Sequence, residues 1–291
     1  MRRANFIPRS IAIGTHPAMP EAAASAAQIE AALLAQGAER VLTGSLYDER
    51  LRGQVHEGRF DLLIALGGDG TMLRAGRLCA SVKLPVLGIN MGSFGFLIEV
   101  QHDQWQERIT LLLQGQFYLE DRMMLRVQHW QDDVMLSEHE ALNEVVITRG
   151  QQVRPIHLRA SSNAYQLADF IADGLIVSTA TGSTAYALAA GGPILAPEQR
   201  NILIVPLAPH LSMDRSIVLE GDAVVSVQAF TRHEAVYCVD GQPSVAMKDG
   251  DTVRVTASQY QATFVRFQEP GYFYKNVTKY MNQNPIIGTQ E

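Results

Sequence analysis

The stretch Asp61-Leu62-Leu63-Ile64-Ala65-Leu66-Gly67-Gly68-Asp69-Gly70-Thr71-Met72-Leu73-Arg74 decides the fold. The apolar run from Leu62 to Leu66 is too short for a convincing helix and suits a strand buried on both faces. Gly67 and Gly68 then let the backbone turn sharply and approach a ligand with no Cβ in the way. From Thr71 the pattern is helical, with Thr71 as a cap and Met72, Leu73, Leu78 and Cys79 on an inner face. A strand, a glycine turn and a helix start place free N–H groups where phosphate binds well. Into that turn the chain sets a carboxylate, Asp69. The lysine of a Walker A loop and the spacing of the dinucleotide fingerprint are both missing. Asp69 therefore has two readings. It either takes a proton or binds a metal beside phosphate, or it caps a tight strand-to-helix turn.

Working toward the N-terminus, Ser10 to Gly14 is a first strand, and His16 follows at its carboxyl end, where open α/β sheets bind ligands. An ordinary loop histidine is the alternative. Glu21 to Gln36 is an Ala-rich helix with a stripe of Ile29, Leu33 and Leu34, ended by Gly37. Val41 and Leu42 start a weak strand, and Tyr47 to Arg59 is polar and irregular or helical. Toward the C-terminus, Pro85 to Asn90 is a further strand, followed by a second glycine-bearing loop, Asn90 to Leu97. Gln104 to Leu113 is a short helix. Strands alternating with helices over about a hundred residues predict a parallel sheet, Rossmann-like or flavodoxin-like.

After Tyr118 the pattern changes to short, often alternating strands separated by Gly, Pro, Asp and Asn. That predicts a mostly antiparallel β-rich domain. The expected domains are 1–118 and 119–267, with the tail 268–291 packing back on the first. Within the second domain, Thr179 to Pro193 is an exception: a hydroxyl-rich start, small residues and a Gly191-Gly192 stop read as a capped helix. Either a flat ligand or another backbone would fit closely against it. Asn143-Glu144, at the start of a strand, offers donor and acceptor groups suited to a ribose diol or an adenine edge; a plain polar strand end is the alternative. Asp173-Gly174 is likewise a ligand contact or a turn.

The 291 residues leave room for one large domain or two, and 47% are hydrophobic, enough for a sizeable core. A net charge of -6, with both signs interspersed, argues against nucleic acid as a partner. Two cysteines, Cys79 and Cys238, in apolar settings read as small buried hydrophobes in a reducing compartment. No signal peptide or membrane span is expected, which makes the cytoplasm the default location.

Together these pieces resemble the bacterial-type NAD kinases. The resemblance rests on Gly67-Gly68-Asp69-Gly70-Thr71, Asn143-Glu144-Val145-Val146, Asp173 to Thr179, and Thr181-Gly182-Ser183-Thr184-Ala185-Tyr186 running into Gly191-Gly192-Pro193-Ile194. It implies transfer of the γ-phosphoryl group of ATP to the 2′-hydroxyl of the adenosine ribose of NAD, making NADP. Asp69 would be the catalytic base. Gly67, Gly68, Gly70 and Arg74 would meet phosphate. Asp69, Gly70, Asn143, Glu144, Arg154, Asp173, Thr181, Thr184, Ala185, Tyr186, Ala189 and Gln242 would bind NAD. A divalent cation, normally Mg²⁺, would arrive on the ATP phosphates. A homo-oligomer, dimer or tetramer, is implied, and so is a tail anchored through Tyr272, Phe273, Tyr274 and Tyr280. Ile171 departs from the basic or polar residue that many relatives carry there, which leaves the choice between NAD and NADH open. Two rival readings are a diacylglycerol- or sphingosine-type lipid kinase sharing the glycine turn, and a non-catalytic NAD(H)-binding sensor.

Overall fold

The computed structural model describes residues 1–92, 95–231, 233–268, 271, 273–274 and 277. They form two units: Met1–Arg122 with the described residues from Gln261 onward, and the contiguous segment Met123–Tyr260.

The first unit is built on parallel strands. Ser10–Thr15 pairs with Arg40–Ser45 on one side and with Leu62–Gly67 on the other, and Leu62–Gly67 pairs with Val86–Asn90. In chain order the spatial sequence is second, first, third, fourth, the flavodoxin-like doubly wound arrangement. On its other side Val86–Asn90 has two further parallel partners: the short strand Val100–Gln101, opposite Ile89 and Asn90, and Phe264, in the strand Thr252–Arg266, opposite Val86. Leu62 to Leu66 are all buried, as the unbroken apolar run demands. The helices Pro20–Ala35 and Trp105–Leu113 supply Ala22, Ala26, Ile29, Leu33, Ile109 and Leu112 to the core on the sheet.

The reversal of strand order falls between Ser10–Thr15 and Leu62–Gly67. The crevice beyond the carboxyl ends of those two strands is the place where such sheets bind ligands. His16 follows one strand and Gly68-Asp69 the other.

The second unit has two antiparallel sheets around one core. One runs Ile217–Glu220, Asn201–Leu207, Gly174–Thr179, Glu144–Arg149, Ala235–Val239, Val245–Met247. In the other, Tyr165–Ala172, Ile156–Ser162, Val225–Phe230 and the start of Thr252–Arg266 follow one another. Alternate residues of both sheets, among them Val145, Ile147, Leu175, Val177, Leu158, Phe170, Val227 and Val253, fill the space between them.

Two local expectations need correction. The helix of the glycine turn starts at Asp69, not after Thr71, and its N-cap is Gly68. Thr71 lies buried in the first turn. The segment expected to be one capped helix is instead a 3₁₀ turn, Gly182–Thr184, and a single helical turn, Tyr186–Ala189, with no side-chain cap on either. Its hydroxyls bond locally: Ser183 Oγ donates to Ala180 O at 2.7 Å and accepts from Leu195 N at 3.0 Å, and Thr184 Oγ1 donates to Thr181 O at 3.2 Å. Such bonds compete with a helical ladder. Of the expected tail anchors, Tyr272 and Tyr280 lie outside the described residues; Phe273 and Tyr274 stand edge to face, 5.6 Å between ring centres.

Candidate active site

In the first unit, Asp69 is the first residue of its helix, yet its carboxylate caps nothing there. It reaches instead to the second glycine loop. Phe96 N donates to Oδ2 at 2.8 Å and Leu97 N to Oδ1 at 3.1 Å. Burial pushes the Asp69 carboxyl above its ordinary value, against the opposing pull of the two amides and of the Arg266 charge. A raised carboxyl is a better proton acceptor than a solvated one. Gly95 makes this arrangement possible: a Cβ at 95 would stand 2.1 Å from Asp69 Oδ1. On the outer side the crowding is reversed. Among the described residues a Cβ on Gly68 or Gly70 would meet nothing within 4 Å, and neither residue has a positive φ. Neither packing among the described residues nor backbone conformation requires glycine there, as close approach of a ligand to the helix start would.

Arg74, one turn on, lays its guanidinium over the Tyr47 ring, 4.0 Å from the centre. Tyr47 Oη lies 3.3 Å from His16 Nε2. Among the described residues no carboxylate pairs with Arg74, which leaves a stacked cation at the carboxyl edge of the parallel sheet.

In the second unit, Asn143 and Glu144 are both buried, at 7% exposure. Asn143 Oδ1 and Glu144 Oε2 are fully enclosed and have no hydrogen-bond partner among the described residues. Two orphaned polar atoms on neighbouring residues are costly unless a ligand meets them. Burial, and then the nearby Asp240 charge, push the Glu144 carboxyl up to about 8.

The segment expected to adjoin them does so. Thr179 N donates to Asn143 O at 2.8 Å, Ser178 Oγ to Asn143 O at 3.1 Å, and Thr179 Oγ1 to Leu142 O at 2.7 Å. From there Thr181 is buried, Thr184 and Ala185 are half-buried, and Tyr186 and Ala189 are exposed. Gln242 belongs to the same end of the sheet: its N donates to Val239 O at 2.9 Å, and its carbonyl accepts from Cys238 Sγ at 2.9 Å.

Asp173 and Arg154 do not join this group. Asp173 precedes the strand whose other end carries Ser178, and five residue steps along a strand span roughly 17 Å. Asp173 Oδ1 pairs with Arg149 Nε at 3.0 Å, and Arg154 is exposed in a loop. Asp240, Gly95 and Tyr47 are not among the residues that the sequence pattern singles out. Only the Asp-Gly dipeptide after an apolar strand marked the first of these.

A doubly wound parallel sheet with a carboxylate in a glycine turn at its switch point, and a β unit with an unpartnered carboxamide–carboxylate pair, define a two-domain nucleotide-binding α/β protein. The family models described as the ATP-NAD kinase N-terminal and C-terminal domains match residues 11–117 and 142–267. The chain belongs to the ATP-NAD kinase family. An NAD kinase of Chloroflexus aurantiacus is 44% identical over 74% of this chain and 78% of its own length. One of Dehalococcoides mccartyi is 32% identical over 96% and 98%. Among solved structures, an NAD kinase from Archaeoglobus fulgidus in complex with ATP matches with a TM-score of 0.72 and 25% identity, covering 94% of this chain and 99% of that one. Yeast NADH kinase complexed with NADH shares the fold, with a TM-score of 0.79 at 20% identity over 99% and 90%.

Proposed function

We propose that this chain is an NAD kinase, transferring the γ-phosphoryl group of ATP to the 2′-hydroxyl of the adenosine ribose of NAD and releasing NADP. The observation that carries this is Asp69: a buried-side carboxylate clamped by two amides, with open glycines on either side of it at a helix start. A ribose hydroxyl is a weak nucleophile at neutral pH, and a positioned base removes its proton as it attacks phosphorus. The remaining needs are alignment and charge neutralisation. Amides of Gly67, Gly68 and Gly70 and the guanidinium of Arg74 serve the phosphates. A divalent cation, Mg²⁺, travels on those phosphates; among the described residues no cluster of three metal-ligating side chains stands ready to hold it alone.

Asn143 and Glu144 hold the adenosine, flanked by Thr181, Thr184, Ala185, Tyr186, Ala189 and Gln242, with Tyr186 available to stack on a base. Asp173 and Arg154 serve a part of the dinucleotide remote from that pair. The enzyme works as a cytoplasmic homo-oligomer. No described helix is long and apolar enough to cross a membrane.

The test is to incubate the protein with ATP and Mg²⁺ and, in separate arms, NAD, NADH, diacylglycerol or no acceptor. The expected product is NADP in the NAD arm. Phosphorylated lipid instead of NADP, or NAD binding without turnover, overturns the reading in favour of a lipid kinase or a sensor. Replacing ATP with polyphosphate in the same assay identifies the donor.

A further inference from the structure

Asp240 lies just past the strand Ala235–Val239, with φ at 45°. Asp is among the few residues that tolerate that left-handed conformation. Its carboxylate accepts from three consecutive backbone amides: Leu142 N at 2.8 Å on Oδ2, and Asn143 N at 2.9 Å and Glu144 N at 3.0 Å on Oδ1. Its own N–H donates back to Glu144 O at 3.0 Å. The chain at 142–144 is thus fixed from one side by Asp240 and from the other by Ser178 and Thr179. It is at this doubly held turn that Asn143 Oδ1 and Glu144 Oε2 are buried without partners.

We propose that Asp240 is a positioning residue for NAD: its carboxylate holds the 142–144 turn so that the Asn143 and Glu144 side chains stand ready for the ligand. This rests on the NAD kinase reading above.

A second consequence is electrostatic. Among the described residues, the titratable groups facing Glu144 are Asp240 and Cys238; on the other flank, Ser178 lies opposite Glu144 in register and does not titrate. Burial and the Asp240 charge together raise the Glu144 carboxyl to about 8, so below that pH Glu144 carries a proton in the empty protein. A ribose hydroxyl donating to Glu144 favours the ionised form, and NAD uptake expels the proton. At pH 7 that is about 0.9 proton per NAD bound. NAD affinity therefore rises about tenfold per pH unit below the Glu144 value and levels off above it.

The experiment is titration calorimetry of the full-length protein with NAD from pH 6 to 9, alongside steady-state kinetics, for wild type, Asp240→Asn and Glu144→Gln. Asn cannot accept all three amides, because one of its two ends is a donor. At pH 9, NAD affinity of Asp240→Asn should fall about 10- to 100-fold, the loss expected when charged hydrogen bonds that hold the site are removed. KM for ATP, and kcat at saturating NAD, should stay within about threefold, since Asp240 touches neither phosphate nor base. With the Asp240 charge gone, the pH at which NAD affinity levels off should move down. In Glu144→Gln the pH dependence should vanish.

Affinity within twofold of wild type and an unmoved pH profile overturn the proposal. So does a loss of kcat, ATP affinity and melting temperature in step with an unmoved profile, which marks Asp240 as merely structural. If Asp240→Asn does not fold, Asp240→Ser is measured in the same way: NAD affinity within twofold of wild type overturns the proposal, and a loss of NAD affinity with kcat and KM for ATP retained supports it. Wild-type protein that binds no NAD overturns the functional reading and this inference together. Wild type that binds NAD, with a variant that binds it equally well, overturns the inference alone.

Discussion

Gly95→Ala replaces one hydrogen with a methyl group, at a residue that has no proposed contact with substrate, and it should nonetheless cripple turnover. The added Cβ would stand 2.1 Å from Asp69 Oδ1, 2.4 Å from Cγ and 2.6 Å from Oδ2. Real Cβ atoms essentially never come within 3.0 Å of a heavy atom outside their own residue and its chain neighbours, so Oδ1 must withdraw by about 0.9 Å, or the 95–97 loop must move by as much. Either movement breaks the registration of Asp69 with the amides of Phe96 and Leu97. Each of those bonds to a charged group is worth about 1.5–3 kcal/mol, so losing one sets a destabilisation of about that size. The kinetic effect is larger in proportion, because a misplacement of about 1 Å at a reacting group costs about 10²-fold in rate. The assay is NADP formation at saturating ATP and NAD, with NAD affinity and melting temperature measured on the same preparation. The expected result is turnover down about 100-fold with NAD affinity nearly unchanged. A folded Gly95→Ala enzyme that turns over within threefold of wild type would refute the claim that the 95–97 loop aims a catalytic Asp69.

Three further outcomes are expected. Asp69→Asn keeps the size of the side chain but cannot take a proton, so turnover should fall about 10²- to 10⁴-fold with NAD affinity retained, checked by kinetics and calorimetry. If Asp69 were only structural, activity would survive. Asn143→Ala and Glu144→Ala should each weaken NAD binding by about 1.5–3 kcal/mol while the melting curve stays cooperative; unchanged NAD kinetics in both would remove them from the site. Ile171, half-exposed on the strand Tyr165–Ala172, is apolar where many relatives are expected to carry a basic or polar residue. Parallel assays should then show phosphorylation of NADH beside that of NAD, and strict rejection of NADH would count against this.

What the sequence discloses depends on how local the physics is. The Leu62–Leu66 strand is legible because burial on both faces leaves an unbroken apolar run. The doubly wound sheet is legible because strands and helices alternate. The helix start at Asp69 is not, since Gly-Asp-Gly has poor helix propensity and the turn is set by bonds to residues 96 and 97. The 181–190 segment misleads in the opposite way: its small residues permit a helix, and its hydroxyls spend their hydrogen bonds against one. Asp240 illustrates the hardest case. An Asp-Gly turn reads the same whether the carboxylate faces water or gathers three amides nearly a hundred residues away in the chain. Asn143 and Glu144 announce their chemistry by type, but only the fold reveals that their outer oxygens have been left unpaired.

One parallel strand of the first unit comes from far along the chain, at Phe264 beside Val86, with Arg266 held by Glu120 at 2.6 Å and Thr263 by Asp121 at 2.8 Å. In topological terms the β unit is an insertion inside the α/β unit. During synthesis the strand Val86–Asn90 emerges early and Val100–Gln101 soon pairs its Ile89 and Asn90, but the partner of Val86, Phe264, emerges only after the whole of Met123–Tyr260 has been made. The first-made half of the protein is therefore the last to be completed. Until then the Val86 end of that strand edge stays unpaired, and such open edges invite association with other chains. The contiguous unit has no such wait. A chain released only as far as about residue 260 would carry a β unit with the start of its last strand in place and an α/β sheet still lacking the partner of Val86, which makes the closing strand a checkpoint for the chain as a whole.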